Sequence, residues 1–546
     1  MQKVLTAAEM REVDRLTTEK YGVSPAILME NAAHGAANAI RERLGGSVKD
    51  KSVLILCGKG NNGGDGAALG RVLWQQGADV EVCLFGLVED TKDEARANFE
   101  ILQKITGSEE FELDQADLAF TQITGLDEWL EYDSLNFQCD DPDVIVDALF
   151  GTGLERPLDG VYEQAAAFID AFTEDNPNRE TLVVALDIPS GLNADRGKPI
   201  GPAARAHVTI TFTAPKLASV LPPAQNFVGD LEVVNIGTPC ELVNATRSKT
   251  YLSECADVCR WMVQTEFSSA SYKNKRGHAL IVAGSSNYAG AAVLAGNAAI
   301  RSGAGLATIA TPESSRTLVG GRVAPEVMVR GVAETECGAI SEDAFDEIVS
   351  FSKNIDAVGL GCGLSSSDES TRRFVRRMVE ERKTPLVIDA DGLNSLAPWD
   401  TQGSTDFPLV LTPHEGEFMK LLGTDDKSVL DDRLTTCREF AERFNVILLL
   451  KGERNLSAEP GGRVVVNPTG NSGLGKAGNG DTLNGILAGF VAQAVQMKAD
   501  IFETVVAAVY VAGLAGDIAE QKYGKRVMTA TDVRDCLQEA FEQTGG

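Results

Sequence analysis

From Ser52 to Gly66 the chain reads SVLILCGKGNNGGDG. The near-continuous apolar run Ser52 to Cys57 predicts a buried strand. Gly58 to Gly66 is dense in glycine and carries Asn61 and Asn62. Such a backbone can take positive φ and aim its N–H groups at one point. A helix expected from near Ala67 adds its positive end. The loop suits a diphosphate, the plainer alternative being a tight turn between strand and helix. NNGGD is more polar than a turn requires. The loop is not a GxGxxG fingerprint, and it lacks the Lys-Ser/Thr of a Walker loop.

Working outward, Met10, Val13 and Leu16 sit at helical spacing, and LMENAAHGAANAI from Leu28 repeats that pattern. AALGRVLWQQG follows the glycine loop as a helix. VEVCLF from Val80, DVIVDALF from Asp143, TLVVALDIP from Thr181 and VTITF from Val208 are further apolar runs. Strands alternating with helices predict an α/β fold, a largely parallel sheet covered on both faces. A polar stretch without periodicity, ELVNATRSKTYLSE, marks a boundary between Thr238 and about Ala270. The expected domains are residues 1–240 and 251–546. In the second, HALIVAG, LATIATP, IDAVGLG, PLVIDADG, FPLVLTP and NVILLLKG are apolar runs, most ending in Gly, Asp or Pro. Ligands of open α/β sheets gather at the carboxyl ends of strands, so these run-ends are where chemistry is expected.

The 546 residues, 43% hydrophobic and 24% charged, fit two globular α/β domains. A net charge of −29 argues against nucleic acid or an anionic membrane as partner. It does not bear on phosphates bound by local N–H groups. The ten cysteines form no CxxC pair, and the Cys255/Cys259 spacing has no matching pair for zinc. Free thiols in a reducing compartment are expected. The N-terminus has no secretory pattern, and the chain is expected to hold no stretch of about 20 apolar residues of the kind that could span a membrane. The expected location is the cytoplasm. No short repeat or low-complexity tract is present.

Asp147, in VDALFGTGLERPLDG, and Asp187, in ALDIPSGLNAD, end two apolar runs. Carboxylates at such positions ligate cations or act as general acids and bases; a lone one is more often a turn or cap residue. In the second half, LLLKGERN places Lys451 and Gly452 at a run-end, and NSGLGKAGNGDTLNG carries Gly478-Asn479-Gly480-Asp481 before a helical stretch. Glycine N–H groups at a helix start make an anion hole. An Asp at that mouth can take a proton from an attacking hydroxyl while phosphate oxygens are held. A flexible loop with an Asp cap is the plainer alternative. His414 is one of four histidines and lies in a PHEGE turn.

LMENAA, GKGNNGGDG, DALFGTGLERP and LDIPSGL, in this order over most of residues 1 to 240, resemble the NAD(P)H-hydrate epimerase (YjeF N-terminal) domain. The resemblance implies a Rossmann-like domain that interconverts the R and S hydrates at C6 of the reduced nicotinamide. It implies substrate contacts from Asn61, Asn62, Gly63, Gly64 and Asp65, and from Gly151, Thr152, Gly153, Leu154, Glu155, Arg156 and Pro157. It also implies potassium on Asn62, Asp147 and Ser190, and Asp187 as a substrate contact and the acid–base group. The block at Asp481 is similar to the GxGD element of ribokinase-like kinases. Together with RGHALIVAGSSNYAGAAVLAGNAAIRSGAGLATIATP, APEVMV, GLGCGL, IDADGLN and LTPHEGEF it resembles the ADP/ATP-dependent NAD(P)H-hydrate dehydratases, from about Tyr251 nearly to the end. That implies a ribokinase-like α/β domain with Ala291, Gly363, His414 and Asp481 at the hydrate. Lys451, Gly452, Glu453, Arg454, Asn455 and Gly480 would then meet ADP or ATP, magnesium would shield the phosphates, and Asp481 would be the base. Ser472 and Leu474 stand where Pro and Met are usual, and Asn479 where Ser or Thr is common, which alters loop rigidity.

The expected substrates are NADHX and NADPHX, with ADP the expected phosphoryl donor, in a homo-oligomer of tetramer size or larger. A rival reading makes the second half a small-molecule kinase, such as a hydroxymethylpyrimidine or thiazole kinase. Another makes the first half a scaffold without chemistry, as in RNA decapping. The TPHEGE turn and the fusion to NNGGD argue against the first rival. Asp65, Asp147 and Asp187 with their glycines argue against the second.

Overall fold

The computed structural model describes residues 1–107, 117–136, 141–173, 180–269 and 271–545. The chain divides into two compact units, Gln2–Ser248, and Lys249–Gly546 with Met1. Among the described residues of the first, seven strands form one sheet: β1 (Ser52–Cys57), β2 (Asp79–Phe85), β3 (Leu118–Ile123), β4 (Val144–Ala148), β5 (Leu182–Leu186), β6 (Val208–Phe212) and β7 (Asp230–Val234). They lie in the order β3-β2-β1-β4-β5-β6-β7, each pair parallel. From β1 the chain builds outward to β3, then returns to place β4 on the other side of β1. The loops after β1 and β4 therefore diverge, opening the crevice expected at such a switch point. Residues of β4 are buried throughout, which is why the run reads as continuously apolar. LAFTQI and DLEVV carry no such run. They form the edge strands β3 and β7, which stay half-exposed.

Helix α1 (Ala7–Tyr21) opens on a capping box between Thr6 and Glu9 and stops at Gly22, φ 72°. Helix α2 (Pro25–Arg43) is capped by Ser24. Helix α3 (Asn61–Gln75) begins at Asn61 rather than near Ala67. The glycines explain the difference, because they serve close packing rather than loop freedom. A Cβ on Gly63 would lie 1.8 Å from the Gly58 carbonyl oxygen, and one on Gly64 would lie 2.7 Å from the Ala95 Cα.

The second unit contributes β8 (Thr250–Leu252), β9 (His278–Val282), β10 (Leu306–Pro312), β11 (Val327–Val332), β12 (Ala357–Leu360), β13 (Leu386–Ile388), β14 (Leu409–Leu411), β15 (Ile447–Leu450), β16 (Leu456–Ala458) and β17 (Val464–Val466). Their order is β8-β17-β16-β15-β14-β13-β12-β9-β10-β11. From β15 to β11 every pair is parallel; β16 is antiparallel to both of its neighbours. The path from β9 out to β11 and back to β12 makes a second switch point. Both units are thus α/β, as the run pattern predicts.

Helices α4 (Ala289–Arg301), α5 (Glu415–Leu422), α6 (Asn479–Met497) and α7 (Ile501–Tyr523) complete the elements needed here. One expectation is corrected. Helix α7 is 23 residues long with a mean hydropathy of 1.7, apolar enough by length and composition to cross a membrane. Its most apolar window is 72% buried inside the fold, and Val505, Val509, Ala512 and Ala519 lie in the unit's core. A helix buried all round is apolar all round. Beside it, α6 crosses α4 so closely that a Cβ on Gly485 would lie 2.1 Å from the Ala295 carbonyl oxygen. Gly485→Ala should therefore force the helices apart and destabilise the second unit by about 1–3 kcal/mol, read as a lower midpoint in its urea unfolding transition.

Candidate active sites

At the first switch point a cavity of about 830 Å³ opens, within the range of cofactor sites, roughly 300–1,000 Å³. Lys59 to Asn62 after β1, Leu149 to Leu154 after β4, and Arg156 and Pro157 line it, together with Asp14, Asp65, Asp187 and Lys216. Asp187 follows β5 with φ 66°, a left-handed conformation rare outside glycine and held here by its surroundings. Its N–H donates to the Ile210 carbonyl at 2.8 Å. Gly151 packs closely on this group: a Cβ there would lie 3.2 Å from Asp187 Oδ2 and 3.4 Å from Asn62.

Lys216 is 1% exposed. Its Nζ donates to Asp187 Oδ1 at 2.5 Å, to Thr211 Oγ1 at 2.9 Å and to the Phe212 carbonyl at 3.1 Å, which uses all three ammonium donors. Thr211 Oγ1 lies 3.2 Å from the same Asp187 oxygen. Burial pushes the Asp14 carboxyl up to about 6, with Lys216 opposing and Asp187 adding. Burial, then the Asp187 and Asp14 charges, hold Asp65 well above the usual range. Behind the wall, Asp147 accepts from the Ser190 N–H at 2.7 Å, the Ser190 hydroxyl at 2.6 Å and the Leu149 N–H at 3.2 Å. Burial nevertheless raises it to about 6. Both polar atoms of the Asn62 amide are buried without a hydrogen-bond partner.

In the second unit, adjacent parallel strands deliver three side chains at their carboxyl ends: Asp389 after β13, His414 shortly after β14 and Lys451 after β15. Lys451 Nζ donates to Asp389 Oδ1 at 2.6 Å. Burial lowers Lys451, but the Asp389 carboxylate outweighs it and holds the ammonium above its usual range. The first turn of α6 reaches the same place. A Cβ on Gly480 would lie 3.4 Å from Asp389 Oδ2 and 3.7 Å from Lys451 Nζ. Asn484, one turn on, donates to the Val387 carbonyl at 3.3 Å and fixes α6 against β13. Asp481 is raised by burial; its hydrogen bond with the Cys362 thiol and the Lys451 charge oppose, while Asp389 adds.

These features have counterparts in known proteins. Residues 25–218 match the family model of the YjeF-related protein N-terminus, and residues 279–539 that of NAD(P)H-hydrate dehydratase. The bifunctional NAD(P)H-hydrate repair enzyme of Moorella thermoacetica is 39% identical over 98% of this chain and 96% of its own length. That of Salinibacter ruber is 34% identical over 98% and 95%. The chain belongs to the bifunctional NAD(P)H-hydrate repair enzymes. Among solved structures, the ADP/ATP-dependent NAD(P)H-hydrate dehydratase of Bacillus subtilis, co-crystallised with ATP and magnesium, is 28% identical. It covers 54% of this chain and 98% of its own, with a TM-score of 0.47.

Within this repair-enzyme chain, Asn61, Asn62, Asp65, Gly151, Thr152, Gly153, Leu154, Arg156, Pro157 and Asp187 meet at one cavity. Gly63 and Gly64 pack against backbone instead, and Glu155 is outside the lining. Asp147 and Ser190 pair with each other beneath it. In the second unit Lys451, Gly480 and Asp481 come together. Gly363, φ 67°, sits against Ala291, whose Cβ is 3.1 Å from where its own would be. His414 caps α5, its Nδ1 accepting from the Gly416 N–H at 3.0 Å, and it bridges to the Lys451 backbone. The neighbouring nucleotide candidates hold the loop: the Gly452 N–H donates to the Asn455 amide oxygen at 3.2 Å, the Arg454 guanidinium donates to the Pro468 carbonyl, and Glu453 is exposed.

Sequence reasoning missed Asp14, Lys216 and Asp389. The last two follow apolar runs, VTITF and PLVID, so the run-end rule would have found them. Asp14 carries no such signal. Asp389 is buried and Lys451 only partly exposed, so removing the lysine strands the carboxylate. Lys451→Met should cost about 3 kcal/mol of folding stability. Asp389→Asn on that background should restore most of it, both measured by denaturant titration of the full chain.

Proposed function

We propose that the chain repairs hydrated nicotinamide cofactors. The first unit interconverts the R and S hydrates of NADHX and NADPHX, and the second returns the S hydrate to NADH or NADPH, using ADP or ATP. What carries this reading is that each unit holds, at the carboxyl ends of its parallel strands, a lysine-paired carboxylate beside a second carboxyl raised by burial, the acid–base equipment both reactions need. A scaffold would have no use for the first cluster. A simple kinase in the second half has no support from the full-length relatives.

In the dehydration, Asp481 takes the proton of the C6 hydroxyl as that oxygen attacks the terminal phosphorus. Its carboxylate is a better base for having been raised by burial. The N–H groups at the start of α6, opened by Gly478 at φ 93°, hold the phosphate oxygens. Phosphate then leaves C6 and the C5 proton is lost, which restores the dihydropyridine. Magnesium arriving on the nucleotide would be met by Asp389 and Asp481, a hard carboxylate set, and would shield phosphate charge. In the first unit a potassium ion would be held by Asn62, Asp147 and Ser190. The unpartnered Asn62 amide oxygen is the donor that such an ion would satisfy. Among the described residues every cysteine is a free thiol, which supports a reducing, cytoplasmic location.

Chemically prepared NADHX supplied with ADP tests the whole reading through recovery of dihydronicotinamide absorbance. Asp187→Asn should slow epimerisation by roughly two to four orders of magnitude and leave dehydration of pure S hydrate near normal. Asp481→Asn should do the reverse, with nucleotide affinity by calorimetry retained. Asp147→Ala should flatten the dependence of epimerisation on potassium concentration; an unchanged response would remove that ligand from the site.

A further inference from the structure

Asp14 belongs to no motif. It lies on α1 beside the buried Val13 and lines the first cavity. One of its carboxyl oxygens is closed to solvent and has no hydrogen-bond partner. Across the cavity Asp187 is treated differently, its Oδ1 receiving both the Lys216 ammonium and the Thr211 hydroxyl. Lys216 has no donor left, since Thr211 and the Phe212 carbonyl take the other two. Asp14 therefore feels that positive charge only through space. A buried carboxyl with an unpartnered oxygen and a carboxylate nearby is most stable as O–H. The charged groups around it are Asp187 and Lys216, Asp65 from α3, and Arg11 and Arg15 on its own helix, which line the same cavity.

We propose that Asp14 is the general acid of the epimerisation, working opposite Asp187. The proposal rests on the epimerase reading. The C6–O bond breaks as the Asp14 carboxyl gives its proton to the departing oxygen, which leaves as water. The N1 lone pair closes an N1=C6 double bond. Water adds to the opposite face of C6, its electron pair forming the new C–O bond, and Asp187 takes the released proton. Nothing is oxidised or reduced. One proton passes from Asp14 to Asp187, and exchange with solvent, or turnover of the opposite epimer, resets the pair. Asp65 is the competing residue, in the same wall and also raised by burial. Among the carboxylates of the described residues, only Asp14 has the closed, unpartnered oxygen.

The test uses the full chain carrying Asp14→Asn. Epimerisation of the R hydrate, followed by chromatography of the two epimers, should fall about 100-fold or more with little change in KM. ADP-dependent dehydration of pure S hydrate should stay at the wild-type rate. Wild-type kcat/KM should decline above about pH 6 as the acid loses its proton, and that limb should vanish from the residual activity of the variant. The variant should also fold. The fold raises this carboxyl from 3.8 to about 6, so its favourable contribution is complete below about pH 4 and lost as pH rises through about 6. Asn, always neutral, is no worse above pH 7. Epimerisation within tenfold of wild type, or an unchanged basic limb, overturns the proposal. Transfer of both effects to Asp65→Asn overturns it in favour of Asp65. A wild-type chain that does not epimerise at all overturns the epimerase reading instead.

Discussion

A lysine ammonium taken out of water stays charged only where a carboxylate meets it within hydrogen-bond reach. Both units depend on such a pair. Asp187–Lys216 and Asp389–Lys451 each join the carboxyl ends of parallel strands. The first lines the cavity at its unit's switch point, and the second lies at the ends of β13 and β15, on either side of β14. Close packing surrounds each pair: Asp187 holds a left-handed backbone, a Cβ on Gly151 would lie 3.2 Å from Asp187 Oδ2, and one on Gly480 would lie 3.4 Å from Asp389 Oδ2. Removing the carboxylate in the first unit would leave Lys216 buried and alone, and removing the lysine in the second would do the same to Asp389.

The strand runs and the alternation with helices are legible in the sequence because central parallel strands are buried on both faces, so their composition is continuous. Edge strands lose that signal, which is why β3 and β7 escape it. The glycine-rich stretch after β1 misleads for a different reason. Gly63 and Gly64 are demanded by atoms from Gly58 and Ala95, a constraint visible only in three dimensions, so the helix starts inside what reads as a loop. Helix α7 shows the converse. Its apolar length is readable, but whether lipid or protein surrounds it is decided by packing.

The sites divide in the same way. Asp187, Lys451 and Asp481 end apolar runs or open a helix, and a strand end is a place the sequence marks. Asp14 sits in an amphipathic helix, where a carboxylate beside a buried valine reads as part of the solvent face. Only the packing of α1 against the segments that follow β5 and β6, where Ala7 clusters with Ile188 and Val13 with Ala214, turns that position inward. Asn62 was legible as polar, but the absence of any partner for its amide was not.

Both clusters contain more carboxylates than lysines, and that imbalance has a chemical consequence. Two carboxyls sharing a site with one ammonium do not share it equally if the ammonium's hydrogen bonds are directed. In the first unit Lys216 spends all three donors on Asp187 and its neighbours, leaving Asp14 to burial. In the second, Lys451 bonds Asp389, and Asp481 is left with the weak donor of a buried thiol. In both, one group is tied to a charge and the other is raised by burial. The two units then use the raised group in opposite senses. A departing hydroxyl needs a proton, so the raised carboxyl of the first unit gives one. An attacking hydroxyl must lose its proton, so the raised carboxyl of the second takes one, and its greater basicity favours the transfer. A lysine-paired carboxylate at a strand end, with a helix-borne carboxyl raised by burial nearby, therefore supplies an acid where a C–O bond breaks and a base where a P–O bond forms.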